Sequence, residues 1–335
     1  MCTDFLLAAK DGSFVAGRSM EFGMDLHSLP IVVKPGHQFI SPAPAAPFIG
    51  MSWTVKYGYV GMNGFGVDLI AEGMNQMGLS AGALWLVDSV YQTVTTPSVA
   101  VDIAMLTEWI VGNFATCAEV AAAVADPTVI QVWAGKLQEQ KLDPLHIAVH
   151  DATGASLVIE YTGGQPMVYQ NPIAVLTNNP TFDWHLSNIG CYASLTSLDV
   201  GSVTINGNVY PQSGHGSGLR GIPGDYTPPS RLMKIAYLKQ YATQAATAKE
   251  AHNLALHLLN SVDIAKGVVS YVDKGKTSCD YTQWAVVKDL TNLLFSFRFY
   301  GELDPLTIDL KAIDFATVQT GRIPLPTRTP TMLKV

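Results

Sequence analysis

The sequence carries little charge, few cysteines and no long apolar run. Charged residues make up 14% of the 335 residues, the net charge is −7, and Lys and Arg form no cluster. This composition argues against nucleic acid or an acidic membrane surface as a partner. No apolar stretch approaches the ~20 residues of a membrane-spanning helix, so we expect no membrane partner. Hydrophobic residues reach 48%, which indicates a globular chain with a large core.

Several kinds of site are also missing from the sequence. No two cysteines form a CxxC pair, which argues against a zinc ribbon or finger, and four cysteines in this length make no disulfide framework. The segment GSGLRG (216–221) lacks the preceding strand and following helix of a dinucleotide site. We therefore expect no metal and no organic cofactor, and we expect buried thiols at Cys117, Cys191 and Cys279.

The N-terminus shows no basic region followed by an apolar stretch and a small-residue cleavage site. We expect a cytoplasmic protein, or a periplasmic one if a signal was removed.

The order of predicted elements indicates the fold class. Asp11-Gly12 lies between two apolar runs (3–9 and 13–20) and predicts a hairpin. Alternating or apolar segments predict further strands at 29–35, 51–62, 79–86, 145–151, 156–162 and 172–178.

Helical periodicity appears in two regions, residues 98–125 and 230–262, with Thr116 and Ser230 as predicted N-caps. Residues 282–301 predict a final hairpin that turns at Lys288-Asp289. This order predicts an α+β fold, a sandwich of two antiparallel sheets between helical layers. We expect a single domain over residues 1–335, with a Gly- and Ser-rich excursion at about 187–228.

Cys2 directly follows the initiator methionine. Removal of Met1 would leave a thiol and a free α-amine on one residue. An α-amine is a base near neutral pH, so such a residue supplies both the nucleophile and the base of an acyl-transfer reaction. The alternative is that Cys2 is a small buried residue of the first strand.

Four separated motifs resemble the choloylglycine hydrolase family of N-terminal nucleophile (Ntn) hydrolases. They are MCT at the start, GRSME (17–21), LTNNPTFDWH (176–185) and GIPGDYTPPSR (221–231), in the family's order and at similar spacing. The family contains bile salt hydrolases, penicillin V acylases and N-acyl homoserine lactone acylases. The resemblance implies a four-layer αββα sandwich and hydrolysis of a non-peptide amide bond. It also implies a homotetramer, a dimer of dimers, in which the 187–228 excursion reaches a neighbouring subunit; the alternative is a lid over the site.

The resemblance also implies a set of catalytic residues. Cys2 would be nucleophile and base, and Arg18 would lie near its thiol. Glu21 stands where the family usually has Asp and would orient the α-ammonium. Asn178 would donate to the tetrahedral oxyanion, and Arg231 matches a second arginine.

Trp85 stands where bile salt hydrolases carry an Asn of the oxyanion hole, a role that its backbone N–H can still fill. Its side chain would then form a flat apolar wall for an acyl group, or else belong to the core. Further candidates for the substrate pocket, each with core packing as the alternative, are Phe22, Met20, Met24, Phe65, Met51 and Met62.

These residues predict a cysteine amidohydrolase acting on a small acylated amine. Trp85 favours the penicillin V acylase or N-acyl homoserine lactone acylase type, whereas GIPGDYTPPSR looks more like the bile salt hydrolases. A second alternative is a catalytically silent relative that binds acyl amides.

Overall fold

Two antiparallel sheets stack face to face, and helices cover the outer face of each sheet. The computed structural model describes residues 1–45, 48–137, 140–141, 144–273 and 275–327. One hydrophobic cluster lies between the sheets, and a further cluster lies between each sheet and its helices. The predicted α+β class and four-layer αββα architecture are confirmed.

The first sheet has the spatial order β16-β1-β2-β20-β21-β22, and β19 also pairs with β20. Its strands are β1 (Cys2–Ala8), β2 (Phe14–Phe22), β16 (Val175–Leu176), β19 (Val269–Asp273), β20 (Lys276–Asp289), β21 (Leu294–Phe299) and β22 (Glu302–Asp309).

The second sheet has the spatial order β15-β14-β13-β8-β7-β6-β3-β23. Its strands are β3 (Pro30–Val33), β6 (Tyr59–Asn63), β7 (Ile70–Asn75), β8 (Ser80–Trp85), β13 (Leu145–His150), β14 (Ser156–Thr162), β15 (Gln165–Gln170) and β23 (Gly321–Arg322).

The remaining strands form two-stranded ribbons. They are β4 (Gln38–Pro42) with β5 (Ile49–Thr54), β9 (Ala100–Asp102) with β10 (Gln131–Trp133), β11 (Lys136–Leu137) with β12 (Gln140–Lys141), and β17 (Val203–Ile205) with β18 (Asn208–Tyr210).

The α-helices cover the two outer faces or carry the loops near the site. They are α1 (Leu106–Asn113), α2 (Cys117–Ala125), α3 (Phe182–Asn188), α4 (Pro228–Tyr241) and α5 (Ala248–Asn260). Apolar side chains of α1 and α2 pack on the second sheet, and those of α4 and α5 pack on the first. No helix of the described ranges combines the length and apolar character needed to cross a membrane.

Local signals in the sequence predicted several elements correctly. The Asp11-Gly12 turn joins β1 to β2, with Gly12 at a φ of 86° that disfavours other residues. Thr116 caps α2 through a complete capping box with Glu119.

Two predicted ends were wrong. Ser230 does not cap α4, because the helix begins at Pro228 after Thr227; proline fits the first helical turn, and Ser230 lies inside the helix with its Oγ 2.8 Å from Asp225. Lys288 and Asp289 do not form the last turn. Both stay paired in β20, and the Asp289 carboxylate accepts hydrogen bonds from the backbone of the turn that follows.

Three predicted segments were too long. Residues 51–62 form two strands rather than one, because the N–H groups of Lys56 and Tyr57 both turn away to the Gly112 carbonyl. In the 98–125 region regular α-helix starts only at Leu106, since Ala100–Asp102 pairs with β10. Of the predicted strand 172–178, only Val175–Leu176 pairs with β1.

The structure corrects two of the three cysteine predictions. Cys117 is buried as expected, whereas Cys191 is exposed and Cys279 is partly exposed. Cys191 lies in the excursion, most of which is at the surface. Exposed apolar side chains there are Leu198, Val200, Val203, Ile205, Val209 and Tyr210.

Helix α1 buries a carboxyl group against the second sheet, and this makes stability depend on pH. Glu108 is fully buried, accepts a hydrogen bond from the Ile70 N–H, and burial raises its pKa from 4.5 to about 8. The folded state therefore holds this proton more tightly than the unfolded chain does. Its contribution is complete below pH 4.5 and is lost as the pH rises through about 8.

We predict that Glu108→Gln removes this dependence, because the amide oxygen still accepts from Ile70 but does not ionise. Between pH 5 and pH 8 the free energy of unfolding of the wild type should fall relative to that of the variant, by up to about 1.4 kcal/mol for each pH unit. Urea unfolding of both proteins at several pH values measures the difference. A difference that stays constant with pH would show that Glu108 is ionised in the folded protein.

Candidate active site

Strand alternation places Cys2 between the two sheets. Side chains of successive residues point to opposite faces of a strand. In β1, Cys2 and Leu6 belong to the cluster between the sheets, while Phe5 and Leu7 pack toward the helices. Cys2 is therefore buried, with its Sγ facing the interior of the sandwich.

The Arg18 guanidinium lies beside the Cys2 thiol. Its Nη2 is 3.7 Å from Cys2 Sγ and also donates to the Ala83 carbonyl, while Nη1 donates to the Ala71 carbonyl. The Trp284 ring lies 5.2 Å below the guanidinium carbon, a cation–π arrangement. Although burial acts to lower it, the pKa of Arg18 is raised by Cys2 and by the acidic residue described next. The guanidinium is thus fixed on several sides and charged.

Glu72 and Lys288 extend this contact into a buried ion network. Arg18 Nη1 donates to Glu72 Oε2 at 2.9 Å, and Lys288 Nζ donates to the other carboxylate oxygen. All three side chains are at most 1% exposed. Glu72 comes from the second sheet and the two cations from the first, so the network ties the sheets together.

A second ionisable pair crosses the same interface. Asp4, directly opposite Arg18 in the β1–β2 ladder, binds His150 Nε2 of the second sheet through Oδ1 at 2.5 Å. Although burial acts to raise it, His150 holds the pKa of the Asp4 carboxyl below its usual value. The layer around the thiol is therefore charged as well as buried.

Asn178 links the backbone of Cys2 to Trp85. Its Oδ1 accepts from the Cys2 N–H and from Arg231 Nη2, both at 2.8 Å, and its Nδ2 donates to the Trp85 carbonyl at 2.8 Å. Two donors at one end and an acceptor at the other fix the orientation of the amide.

Arg231 projects from the first turns of α4 onto the outer side of β1. Its Nη1 donates to the Cys2 carbonyl and to Thr3 Oγ1, and its Nε donates to the Tyr226 carbonyl at 3.0 Å. Burial lowers the pKa of Arg231, and the charges of Glu21 and Cys2 act against this. Arg231 therefore braces the backbone of Cys2, while Arg18 faces its side chain.

Two buried histidines hold the loop that carries Asn178. His185 Nε2 lies 2.8 Å from the Asn178 carbonyl, and His146 Nε2 lies 3.1 Å from the Thr177 carbonyl. His146 Nδ1 in turn lies 3.0 Å from Glu160, which also accepts from the Phe182 N–H. These contacts fix the backbone on both sides of the Asn178 side chain.

An irregularity between β2 and β20 separates Glu21 from the inner face. The pairing shifts between Met20 and Glu21, and Glu21 then lies opposite Thr282, whose Oγ1 donates to its carboxylate at 3.0 Å. Burial raises the pKa of Glu21, while Arg231 and the terminal amine act in the opposite direction. The Glu21 carboxylate is thus buried close to two cations.

The N-terminal amine of Met1 lies next to these groups. It donates to the Glu21 carbonyl at 2.6 Å and is 3.7 Å from Asp280 Oδ2. Of the predicted contacts, the one between the Glu21 side chain and the nitrogen of Cys2 is not formed in this state: Asn178 holds that nitrogen instead. Both carboxylates nevertheless place negative charge near the start of the chain.

The backbone N–H of Trp85 faces the same space as Arg18 and Asn178. Leu86 N donates to the Pro144 carbonyl, whereas the carbonyls of Ala83 and Trp85 accept from Arg18 and Asn178. Successive residues of a strand direct their backbone groups to opposite edges. The N–H of Trp85 therefore points to the edge where the Arg18 and Asn178 side chains lie.

An apolar cavity opens beside Cys2. Its wall contains no charged side chain and consists of Met1, Cys2, Met20, Phe22, Leu26, Gly64, Phe65, Val67, Leu69, Ile70, Ala71, Ala83, Trp85, Ala104 and Leu145. Phe22 contacts Phe65 edge to face at 5.5 Å and Trp85 at 5.8 Å between ring centroids. The three aromatic rings form one wall.

Four of the five predicted pocket residues of the core set line this cavity: Phe22, Met20, Trp85 and Phe65. Met24 does not; its side chain is 52% exposed, and its carbonyl is held by Gln283. Of the two further methionines considered, Met62 is buried in the core between the sheets and Met51 packs on the outer cluster.

Sequence reasoning missed the residues that support the site from a distance. Glu72 belongs to β7, a strand that was not predicted, and Lys288 was assigned to a turn. A lysine that alternates in step with Trp284 and Val286 is the signal that could have placed it on the inner face. His146 and His185 were recognisable only as histidines in apolar segments.

No group of three or more His, Cys, Asp or Glu side chains suited to a metal ion occurs within the described parts of the chain. The chemistry available at the site is that of a thiol, an amide, guanidinium groups and backbone N–H donors.

Comparison with known proteins connects this geometry to a family. A family model described as linear amide C–N hydrolases, choloylglycine hydrolase family, matches residues 2–320. A bile salt hydrolase/transferase of Clostridium perfringens is 27% identical over 331 residues, covering 96% of each chain. A penicillin V acylase of Pectobacterium atrosepticum is 26% identical over 285 residues, covering 79% of this chain and 69% of the relative.

The structural comparison agrees. The crystal structure of mutant C2A of the conjugated bile acid hydrolase from Clostridium perfringens matches with a TM-score of 0.86 at 25% identity, over 97% of both chains. The fold is therefore that of the Ntn hydrolases, which confirms the resemblance drawn from the motifs. The chain belongs to the choloylglycine hydrolase family, enzymes that hydrolyse non-peptide C–N amide bonds.

Proposed function

We propose that Cys2, once Met1 has been removed, is the nucleophile and its α-amine the base of an amidohydrolase acting on acylated small amines. One observation carries this proposal. The Cys2 thiol lies 3.7 Å from a buried guanidinium and lines an apolar cavity, while its nitrogen is held 2.8 Å from Asn178 Oδ1. Removal of Met1 turns that nitrogen into an amine that Asn178 already positions.

The first half of the reaction forms a thioester. Arg18 favours the thiolate of Cys2, and the α-amine accepts the proton. The sulfur attacks the substrate carbonyl carbon, and the carbon–nitrogen bond breaks as the α-ammonium returns the proton to the leaving nitrogen. In the second half the α-amine takes a proton from water, hydroxide attacks the thioester, and the carboxylic acid leaves as the thiol is restored.

Two donors are available for the oxyanion of both tetrahedral intermediates. The Trp85 N–H faces the site, and Asn178 Nδ2 has a second hydrogen besides the one given to the Trp85 carbonyl. Arg231 holds Asn178 Oδ1, so the amide keeps its donor end toward this space. Loss of one such donor costs about 3–4 kcal/mol in the barrier of comparable reactions.

Glu21 and Asp280 supply charge rather than a hydrogen bond in this scheme. Both lie near the N-terminal nitrogen, where a carboxylate stabilises an ammonium ion. In this reading Glu21 sets the balance between amine and ammonium together with Arg231, although its side chain is anchored on Thr282.

The cavity indicates the acyl side of the substrate. Its apolar wall and three aromatic rings suit a phenoxyacetyl group or a fatty acyl chain. We therefore favour the penicillin V acylase or N-acyl homoserine lactone acylase type. Conjugated bile salts are the second candidate, because the 27% identical relative that spans 96% of this chain is a bile salt hydrolase/transferase.

We further propose that residues 1–335 work as a single domain and that the excursion at 187–228 packs against another copy in a homotetramer. Its six exposed apolar side chains support this proposal, since they would be covered in such an assembly.

The identity of the nucleophile has a direct test. Intact-mass spectrometry should show a chain that begins at Cys2, and Cys2→Ala should lower turnover by at least about 10³-fold. Cys191→Ala, which alters an exposed thiol away from the cavity, is the matched control and should keep full activity. Protein prepared with Met1 retained should be inactive until an aminopeptidase removes it. Full turnover with Met1 in place would rule out the α-amine as base, and a Cys2-terminal protein that binds acyl amides without cleaving them would favour the silent relative.

The substrate class is tested by initial rates on penicillin V, a long-chain N-acyl homoserine lactone and glycocholate. We expect Trp85→Ala to lower kcat/KM on the first two by about 10- to 100-fold, the equivalent of one buried aromatic contact. Trp184→Ala removes an exposed tryptophan that does not line the cavity and should change kcat/KM by no more than about twofold. Fast cleavage of glycocholate alone would establish the bile salt alternative.

A further inference from the structure

The charge network behind Arg18 presents an electrostatic problem for the proposed nucleophile. Glu72 Oε2 lies 2.9 Å from Arg18 Nη1, whereas Cys2 Sγ lies 3.7 Å from Nη2. A carboxylate that close neutralises most of the field of one guanidinium. An Arg18–Glu72 pair by itself would therefore give little stabilisation to a thiolate next to it.

Lys288 changes this balance. Its ammonium binds the other oxygen of Glu72, so two cations share one carboxylate, and one positive charge remains to act on the sulfur. Lys288 is 1% exposed, and a buried lysine is retained in proteins only when it is paired. Its position is set by the sheet, because β20 places Lys288 opposite Ala16, two residues along β2 from Arg18 and on the same face.

We propose that Lys288 is a positioning residue that acts through Glu72: it occupies one carboxylate oxygen, so that Arg18 keeps its charge and its orientation toward Cys2. This inference rests on the proposed role of Cys2 as nucleophile. Gly82 belongs to the same device, because a Cβ at that position would lie 2.0 Å from Glu72 Oε2, so glycine leaves the space that the carboxylate fills.

The proposal makes a prediction about charge that a packing role does not make. Removing Lys288 leaves Glu72 to neutralise Arg18, which disfavours the thiolate. Removing Glu72 as well deletes one anion and one cation together, which restores the field at the sulfur. A second substitution should therefore repair the first, whereas two cavities in a core add their costs.

Other charges face the thiol region and stay constant in this comparison. The charged and titratable groups packed around it, from both sheets, α4 and the chain start, are Asp4, Arg18, Glu21, Glu72, His150, Arg231, Asp280, Lys288 and the N-terminal amine.

The test measures alkylation of Cys2 by iodoacetamide against pH, followed by mass spectrometry of the N-terminal peptide of the Met1-free protein. We expect Lys288→Met to move the midpoint of the alkylation profile upward by about one pH unit. The double variant Glu72→Gln/Lys288→Met should return it to within about 0.3 unit of the wild type, and Glu72→Gln alone should not raise it. Lys288→Arg keeps the charge and should leave the midpoint in place. At pH 6, kcat/KM should fall about tenfold in Lys288→Met and recover in the double variant.

The proposal is overturned if Lys288→Met leaves the midpoint unchanged, or if the double variant shifts it as far as the single one. Circular dichroism and thermal unfolding show which variants are folded. Should Lys288→Met fail to fold, Glu72→Gln and the double variant still decide, since a raised midpoint in either contradicts the proposal. Alkylation needs no turnover, so the failure of every tested substrate would count against the proposed function and leave this result standing.

Discussion

The buried guanidinium of Arg18 is the interaction on which the rest of the site depends. It stands between two sheets, where an unpaired charge would cost several kcal/mol. The Ala71 and Ala83 carbonyls, Glu72 and the Trp284 ring stabilise it, and they leave one side open toward Cys2 Sγ. Because these partners come from both sheets, the position of the charge relative to the sulfur is set by the packing of the whole sandwich.

Elementary strand geometry distributes the work between the two faces of β1. Cys2 points inward to Arg18 and the cavity, while the Cys2 carbonyl and the outward-pointing Thr3 meet Arg231 from α4. Asn178 joins both sides, since its amide oxygen holds the nitrogen of Cys2 and a guanidinium hydrogen of Arg231. The terminal residue is thereby fixed by its side chain, its carbonyl and its nitrogen at once, which suits a group that must attack and transfer protons in one geometry.

The sequence was sufficient for the elements with strong local signals and for the first set of site residues. A Gly at positive φ after Asp11 and a capping box at Thr116 decide local structure, and the motifs around Arg18 and Asn178 lie together as the resemblance implied. What failed depends on long-range contacts. Lys288 looked like a turn residue because nothing in its neighbourhood announces a buried partner, and Glu72 becomes visible only when the second sheet is laid over the first.

The central claim is that an N-terminal thiol carries the acyl group. Rapid-quench intact-mass spectrometry during turnover of a good substrate measures it most directly, with the adduct mapped to a peptide. We predict a transient mass increase equal to the acyl group, located on Cys2 of a chain that has lost Met1 and absent from Cys2→Ala. Turnover without any adduct on this residue, or with the acyl group on another side chain, would contradict the account.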